Sequence, residues 1–243
     1  MNRFYYDMHI HSCLSPCGDN DSTPDSIVGM GELNGLDIMA LTDHNSCKNC
    51  PAFFKAAERH SVTAVAGMEL TTAEDIHVVC LFEALEGAMD FDSQVKRCRI
   101  LIPNKSEVFG DQLIMDDEDN IIGSEENLLI NATTISLEQV PALCAAHGGI
   151  CYPAHIDRES NGVIAVLGTF PIEPRFSFAE LHNRALMGEF IESTGLNEKS
   201  FIVSSDAHYL WDIKEKTDYF TLDADKDSVE IRKSLFRYLR GAK

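Results

Sequence analysis

Short apolar runs alternate with amphipathic stretches along most of the chain. Phe4–His11 reads as a first strand. Thr23 followed by Pro24 has the form of an N-cap with proline at the first helical position, opening a helix that runs to Asn34 with Gly35 as its stop. Asp37–Thr42 predicts a second buried strand, Pro51–His60 a second helix, Val62–Leu70 a third strand and Ile76–Phe82 a fourth. After Phe82 the rhythm changes. Residues 86–100 predict a helix, and Gln112–Met115 with Asn120–Gly123 predicts a hairpin around the acidic turn Asp116–Asp119. Residues 83–134 therefore read as an insertion within one domain spanning 1–243. The capping-box pattern Ser136-Leu137-Glu138-Gln139 opens another helix, which ends near Gly148-Gly149. Strands recur at Ile150–His155, Phe178–His182, Phe201–Ser205 and Thr217–Leu222, before an amphipathic helix over Ser228–Arg240. Strand–helix alternation on this scale predicts an α/β fold on a parallel sheet, either open or closed into a barrel.

Composition narrows the setting. The chain has 243 residues, 44% hydrophobic and 24% charged, which is an ordinary globular balance and excludes global disorder. No run approaches the roughly 18–20 apolar residues of a membrane span, and Met1–Asp7 has no apolar leader, so the expected location is the cytoplasm, away from membranes. Twenty Lys and Arg against 39 Asp and Glu leave a net charge of −19. Such a surface argues against long nucleic acid as a partner, and a single Trp offers little for base stacking. A small anion held at a metal site stays open, because bound cations reverse the sign locally. Cys80, Cys98, Cys144 and Cys151 lie in apolar or helical contexts and read as reduced core thiols. Cys13 and Cys17 follow the first strand, and Cys47 and Cys50 the second. Those four read either as free loop thiols or as an accessory zinc, iron–sulfur or disulfide site.

The candidate chemistry gathers at strand ends. Asp7-Met8-His9-Ile10-His11 ends the first strand, Thr42-Asp43-His44 the second and Gly67-Met68-Glu69 the third. His77 sits early in the fourth, Pro153-Ala154-His155 ends the fifth, and Ser205-Asp206-Ala207-His208 ends the last clear one. Side chains two apart on a strand share a face, so His9 converges with His11, and Asp206 with His208. Six imidazoles and two carboxylates exceed the needs of one tetrahedral ion and point to two or three ions of zinc, manganese or iron. His60, His147 and His182 lack this arrangement; His182 alone, at a strand end, could touch a substrate.

The motifs Asp-x-His-x-His-Ser, Thr-Asp-His-Asn, Gly-Met-Glu, Pro-Ala-His and Ser-Asp-Ala-His, in this order, resemble the PHP (polymerase and histidinol phosphatase) family of metal-dependent phosphoesterases. The resemblance covers about 1–82 and 148–222. It implies a distorted TIM-like (β/α)7 barrel and metal-dependent hydrolysis of a phosphoester. It also implies that His9, His11 and Asp206 hold one ion, that Glu69 bridges to a second held by His77 and His155, and that His44 and His208 hold a third. The further ligand of that third ion falls in the loop after strand one, which is longer here than the common Ser-Asp-Gly pattern; counting back from Thr23-Pro24 gives Asp19.

The expected mechanism is attack by a metal-activated hydroxide between two ions. Arg158, three residues after His155, is positioned to grip phosphate oxygens. Asp43 would orient a ligating imidazole, and His208 is a candidate to protonate the leaving group. The expected substrate is a small phosphorylated metabolite. Alternatives are a nucleotide phosphatase or an exonuclease on short oligonucleotides, and, in another class, a non-catalytic metal-binding regulatory module. Oligomeric state is left open.

Overall fold

The computed structural model describes residues 1–225 and 227–241. Its strands are β1 (Asn2–Ile10), β2 (Ile38–Leu41), β3 (Thr63–Thr71), β4 (His77–Phe82), β5 (Leu113–Met115), β6 (Ile121–Ser124), β7 (Gly149–Pro153), β8 (Ala179–Leu181), β9 (Phe201–Val203) and β10 (Tyr219–Leu222). Its helices are α1 (Pro24–Leu33), α2 (Cys50–Ala57), α3 (Leu85–Lys96), α4 (Ser106–Phe109), α5 (Val140–Ala146), α6 (Val163–Leu167), α7 (Met187–Thr194) and α8 (Ser228–Leu239).

Local chemistry explains most boundaries. Thr23 caps α1 by accepting from the Ser26 N–H, with Pro24 at the first position. The capping box is half realised: the Gln139 side chain accepts from the Ser136 N–H at 2.9 Å, but α5 itself begins at Val140. The acidic turn between β5 and β6 closes on itself, because Asp116 accepts from the N–H groups of Glu118 and Asn120. Arg59, just past α2, pairs with Asp117 at 2.8 Å and ties this hairpin to the helices.

One sheet carries the order β10-β1-β2-β3-β4-β7, with β5–β6 and β8–β9 as separate pairs. The expectation of a parallel sheet is corrected. Only β1–β2 and β2–β3 are parallel within it; β3–β4, β4–β7 and β1–β10 are antiparallel. The reason is chain length. Five residues join β3 to β4, whereas a parallel crossover needs a dozen or more. The fold is thus mixed α/β, a sheet curled into a half-barrel rather than a fully wound (β/α)7 barrel. The parallel pair β8–β9 lies across the open side. It meets β7 where the Ile156 N–H donates to the Glu180 carbonyl at 2.9 Å, and meets β1 where the His11 N–H donates to the Ala207 carbonyl at 2.9 Å.

Both faces of the sheet are covered. All nine residues of β3 are buried. Ala64, Ala66, Met68 and Leu70 belong to an outer core shared with Phe53 of α2 and Phe91 of α3. Val65, with Tyr6, Ile38, Ala40, Val79 and Tyr152, belongs to an inner core capped by Ile231, Leu235 and Phe236 of α8. Arg232 of α8 donates to the Ala64 carbonyl, so α8 closes the end of the sheet where β3 begins. Gly67, Glu69 and Thr71 share the parity of Val65 and continue the inner face toward the other end.

Gly67 is the tightest point on that face. A Cβ there would meet Thr42 Cγ2 at 2.8 Å, the Cys80 carbonyl at 2.9 Å and Leu81 Cδ2 at 2.9 Å. Overpacking of this kind costs about 1–3 kcal/mol. Gly67→Ala is therefore expected to lower the urea midpoint of unfolding by a corresponding amount, with an unchanged denaturant slope.

Candidate metal centre

The half-barrel delivers its chemistry to one rim. Phe4, Tyr6 and Met8 of β1 belong to the inner core, yet His9 and His11, of opposite parity, also reach the inner rim. A register shift between Asp7 and Ile10 re-aims the strand end. Because β4 runs antiparallel to β3, its first residue, His77, pairs with Thr71 and arrives beside Glu69. His155 and Asp206 follow β7 and β9 on left-handed backbone, with φ of 27° and 52°. Non-glycine residues held in that region commonly mark functional sites.

Glu69 is the hub. Its Oε1 lies 2.8 Å from His77 Nδ1, 3.0 Å from His155 Nε2 and 3.4 Å from His9 Nε2. Its Oε2 lies 3.0 Å from His44 Nδ1 and 3.3 Å from His11 Nε2. Asp206 Oδ1 is 3.2 Å from His11 Nε2 and 3.4 Å from His9 Nε2. Three sets lie within ligand range of a common point: His9, His11, Glu69 and Asp206; His44, Glu69 and His77; and His11, His44 and His208. The last two differ from the partition expected from the sequence. His44 sits with Glu69 and His77, and His11 is shared between two sets, while His155 adjoins Glu69 and His77.

These donors fit metal ions. The Nε2 atoms of His9 and His11 are 3.1 Å apart, and His44 Nδ1 makes no hydrogen bond despite its approach to Glu69. Buried imidazole nitrogens and carboxylate oxygens crowded on one point form a donor set that suits a cation.

The imidazoles are oriented from behind. His9 Nδ1 donates to Glu180 Oε1 at 2.8 Å, since a carboxylate only accepts, and this frees Nε2 for ligation. The same Oε1 accepts the His155 N–H at 3.1 Å. Ser15 Oγ donates to Asp43 at 2.7 Å and accepts from His11 Nδ1 at 2.9 Å and from the His44 N–H at 3.1 Å. Asp43 thus acts on His11 through a serine. His208 Nδ1 donates to the Asp206 carbonyl at 2.8 Å.

Electrostatics divides the imidazoles. Burial disfavours charge on His9, His11, His44 and His208. At His11, hydrogen bonds with Asp206 and Glu69 outweigh burial and raise the pKa to about 9. His44 is pushed down to about 3 by burial and by cationic neighbours, and His208 to about 4 by burial and His11. Burial resists ionisation of Glu69, but His77, His9 and His44 hold it well below the usual carboxylate range.

A family model for the PHP domain matches residues 7–133. The chain belongs to the PHP family. An error-prone DNA polymerase from Symbiobacterium thermophilum is 30% identical to it over 80 residues, which are 33% of this chain and 7% of the polymerase. Endonuclease Q from Pyrococcus furiosus, described as lesion-specific, superposes with a TM-score of 0.62 at 16% identity, covering all of this chain and 57% of its own. A two-domain protein from Bacteroides vulgatus with a PHP-like metal-dependent phosphoesterase unit superposes at 0.54 and 16% identity, covering 97% of this chain and 63% of its own. The chain therefore spans well under two thirds of the first of these relatives.

Beyond the matched residues, Arg158 Nη1 lies 2.8 Å from Asp206 Oδ2, at the edge of the centre. Asp19 meets His208 only through its N–H, which donates to the His208 carbonyl at 2.9 Å; its carboxylate accepts from the Asp21 N–H instead. The four loop thiols do not gather. Cys47 and Cys50 both point at the Gly67 carbonyl, Cys13 approaches the Leu113 carbonyl, and among the described residues the sets in ligand range contain no thiol. Sequence reasoning missed Glu180 and Ser15. Glu180 left one signal, a lone acid inside the short apolar strand β8; Ser15 left none, because its role depends on the loop's path.

Two outcomes follow from this geometry. Glu180→Ala should weaken metal affinity by about 10–100-fold, with Glu180→Gln losing less because it keeps an acceptor; metal titration calorimetry measures both. The raised pKa values of His9 and His11 mean that metal uptake at pH 7 displaces protons, so affinity should climb with pH through the His11 value of about 9. Titrations in buffers of different ionisation enthalpy count the released protons.

Proposed function

We propose that this PHP domain hydrolyses a phosphoester in a small phosphorylated metabolite, using two or three ions of zinc, manganese or iron. His9, His11, His44, Glu69, His77, His155, Asp206 and His208 would hold them. The observation that supports this most is the convergence of five imidazoles on the buried Glu69 carboxylate. Such ions, when bound, polarise a phosphoester and make water nucleophilic near neutral pH.

The chain's own residues supply the rest. Arg158, beside Asp206 and 38% exposed, presents a guanidinium fork to the non-bridging oxygens. Asp43, through Ser15, and Glu180 fix the faces of His11 and His9. His208, 22% exposed, is the candidate donor to the leaving oxygen only in its protonated form, because the neutral ring spends its one proton on the Asp206 carbonyl. Asp19, whose N–H meets the His208 carbonyl, would complete the third site. The eight unpaired thiols suit a reducing compartment such as the cytoplasm. No helix among the described residues is long and apolar enough to cross a membrane.

The likeness to endonuclease Q favours a second reading, cleavage of short oligonucleotides. The net charge of −19 weighs against a long duplex.

Manganese-loaded protein should hydrolyse 4-nitrophenyl phosphate or its bis-ester and lose that activity on chelation. His9→Ala and Asp206→Ala should each lower kcat at least 100-fold and reduce bound metal. Absence of chelator-sensitive turnover of both esters and of a short oligonucleotide would falsify the phosphoesterase reading and favour a non-catalytic metal-binding module.

A further inference from the structure

The open side of the half-barrel holds a cavity of about 810 Å3 that begins at the metal centre. Asp206, His208 and Arg158 form its inner end, and Ser204, Asp212 and Lys214 lie farther along its wall. By residue type its lining is mostly polar. Val203 is the single apolar residue among the described residues of the wall, and no Phe, Tyr or Trp lines it. The exposed pair Tyr209 and Trp211 stack on each other at 4.8 Å, outside that wall.

Two further features limit the ligand. Ser204 is 2% exposed, and its hydroxyl is buried without a hydrogen-bond partner. Buried hydroxyls are almost always paired, and Ser204 lines the cavity with its hydroxyl unused. Beyond Arg158, the cations are already engaged. Arg184 pairs with Asp218, and Lys214 donates to the Val203 carbonyl and lies 3.4 Å from Asp218. The cavity therefore offers hydroxyl, carboxylate and amide groups but no Lys or Arg left for a second phosphate, and the His182 and His208 imidazoles are its only flat rings among the described residues.

We propose that this cavity receives the alcohol half of the substrate and that this half is a polyhydroxylated ring or chain. The substrate is then a singly phosphorylated sugar or polyol. The inference rests on the phosphoesterase reading and adds the identity of the leaving group. Arg158 and the metal centre take the phosphate; Ser204 and Asp212 take hydroxyls. A site built to hydrogen-bond a hydroxyl discriminates strongly against an analogue that lacks it, because its buried polar groups are left unpaired.

The test compares kcat/KM of manganese-loaded protein for a panel: hexose 6-phosphate, pentose 5-phosphate and glycerol 3-phosphate, against a nucleoside 5′-monophosphate, a dinucleotide and 4-nitrophenyl phosphate. The best sugar or polyol phosphate should exceed the nucleotide and the dinucleotide at least 100-fold. Ser204→Ala and Asp212→Asn should each shrink its advantage over 4-nitrophenyl phosphate at least tenfold, with unfolding temperature and metal content as controls on the fold. A preference for the nucleotide or dinucleotide overturns the proposal. So does an advantage unchanged in both variants. Turnover of the aryl ester with no sugar preference defeats this inference alone, whereas no chelator-sensitive turnover of any ester defeats the phosphoesterase reading beneath it.

Discussion

A single buried carboxylate organises this molecule. Glu69 is 1% exposed, and both its oxygens face imidazole nitrogens from four different segments of the chain. Desolvating a carboxylate costs several kcal/mol unless opposite charge or hydrogen bonds answer it. Here the answer comes from long-range neighbours, so the strands that bear them must meet at one rim. The bulge at the end of β1 and the left-handed backbone at His155 and Asp206 are local distortions that this convergence requires.

The same constraint accounts for the shape of the sheet. A fully parallel barrel would bring only strand C-termini to the rim. Reversing β4 brings an N-terminus there instead, and with it His77. The antiparallel β4 and β7 then return His155 to the same rim. The fold is closed at the far end by α8 and bridged along one side by only two short strands. Incomplete closure leaves the polar cavity that adjoins Asp206 and His208.

Charge follows a similar division. Much of the acidic excess is exposed or engaged in surface contacts, as in the Asp116–Asp119 turn fastened by Arg59. The acids that matter chemically are few and buried: Glu69 and Asp206 face the centre, while Asp43 and Glu180 stand behind it. An acidic exterior and a site made for cations are therefore separate features, and the charge of the first does not set what reaches the second.

Local periodicity carried much of this into the sequence. His9 with His11 was legible because spacing of two on a strand fixes a shared direction, whereas Asp206 and His208 lie past the end of β9 and fall in different ligand sets. Thr23-Pro24 marked a helix start because capping is decided within four residues. Strand direction was not legible: the five residues before His77 turn the chain back, and alternation alone does not say so. Nor was the partition of ligands among ions, since it depends on which imidazole reaches which oxygen of Glu69. Asp19 shows the limit of counting, because the loop's path turns its carboxylate to its own backbone. Glu180 and Ser15 acquire meaning only through contacts 171 and 4 residues away that no spacing rule encodes. The sequence by itself determined the donor types, their strand-end placement and the acidic exterior, all of which are local or compositional. Tertiary structure alone decided the half-barrel, which imidazoles meet each oxygen of Glu69 and the polar cavity beside it, because each is a meeting of distant segments whose geometry is set by packing.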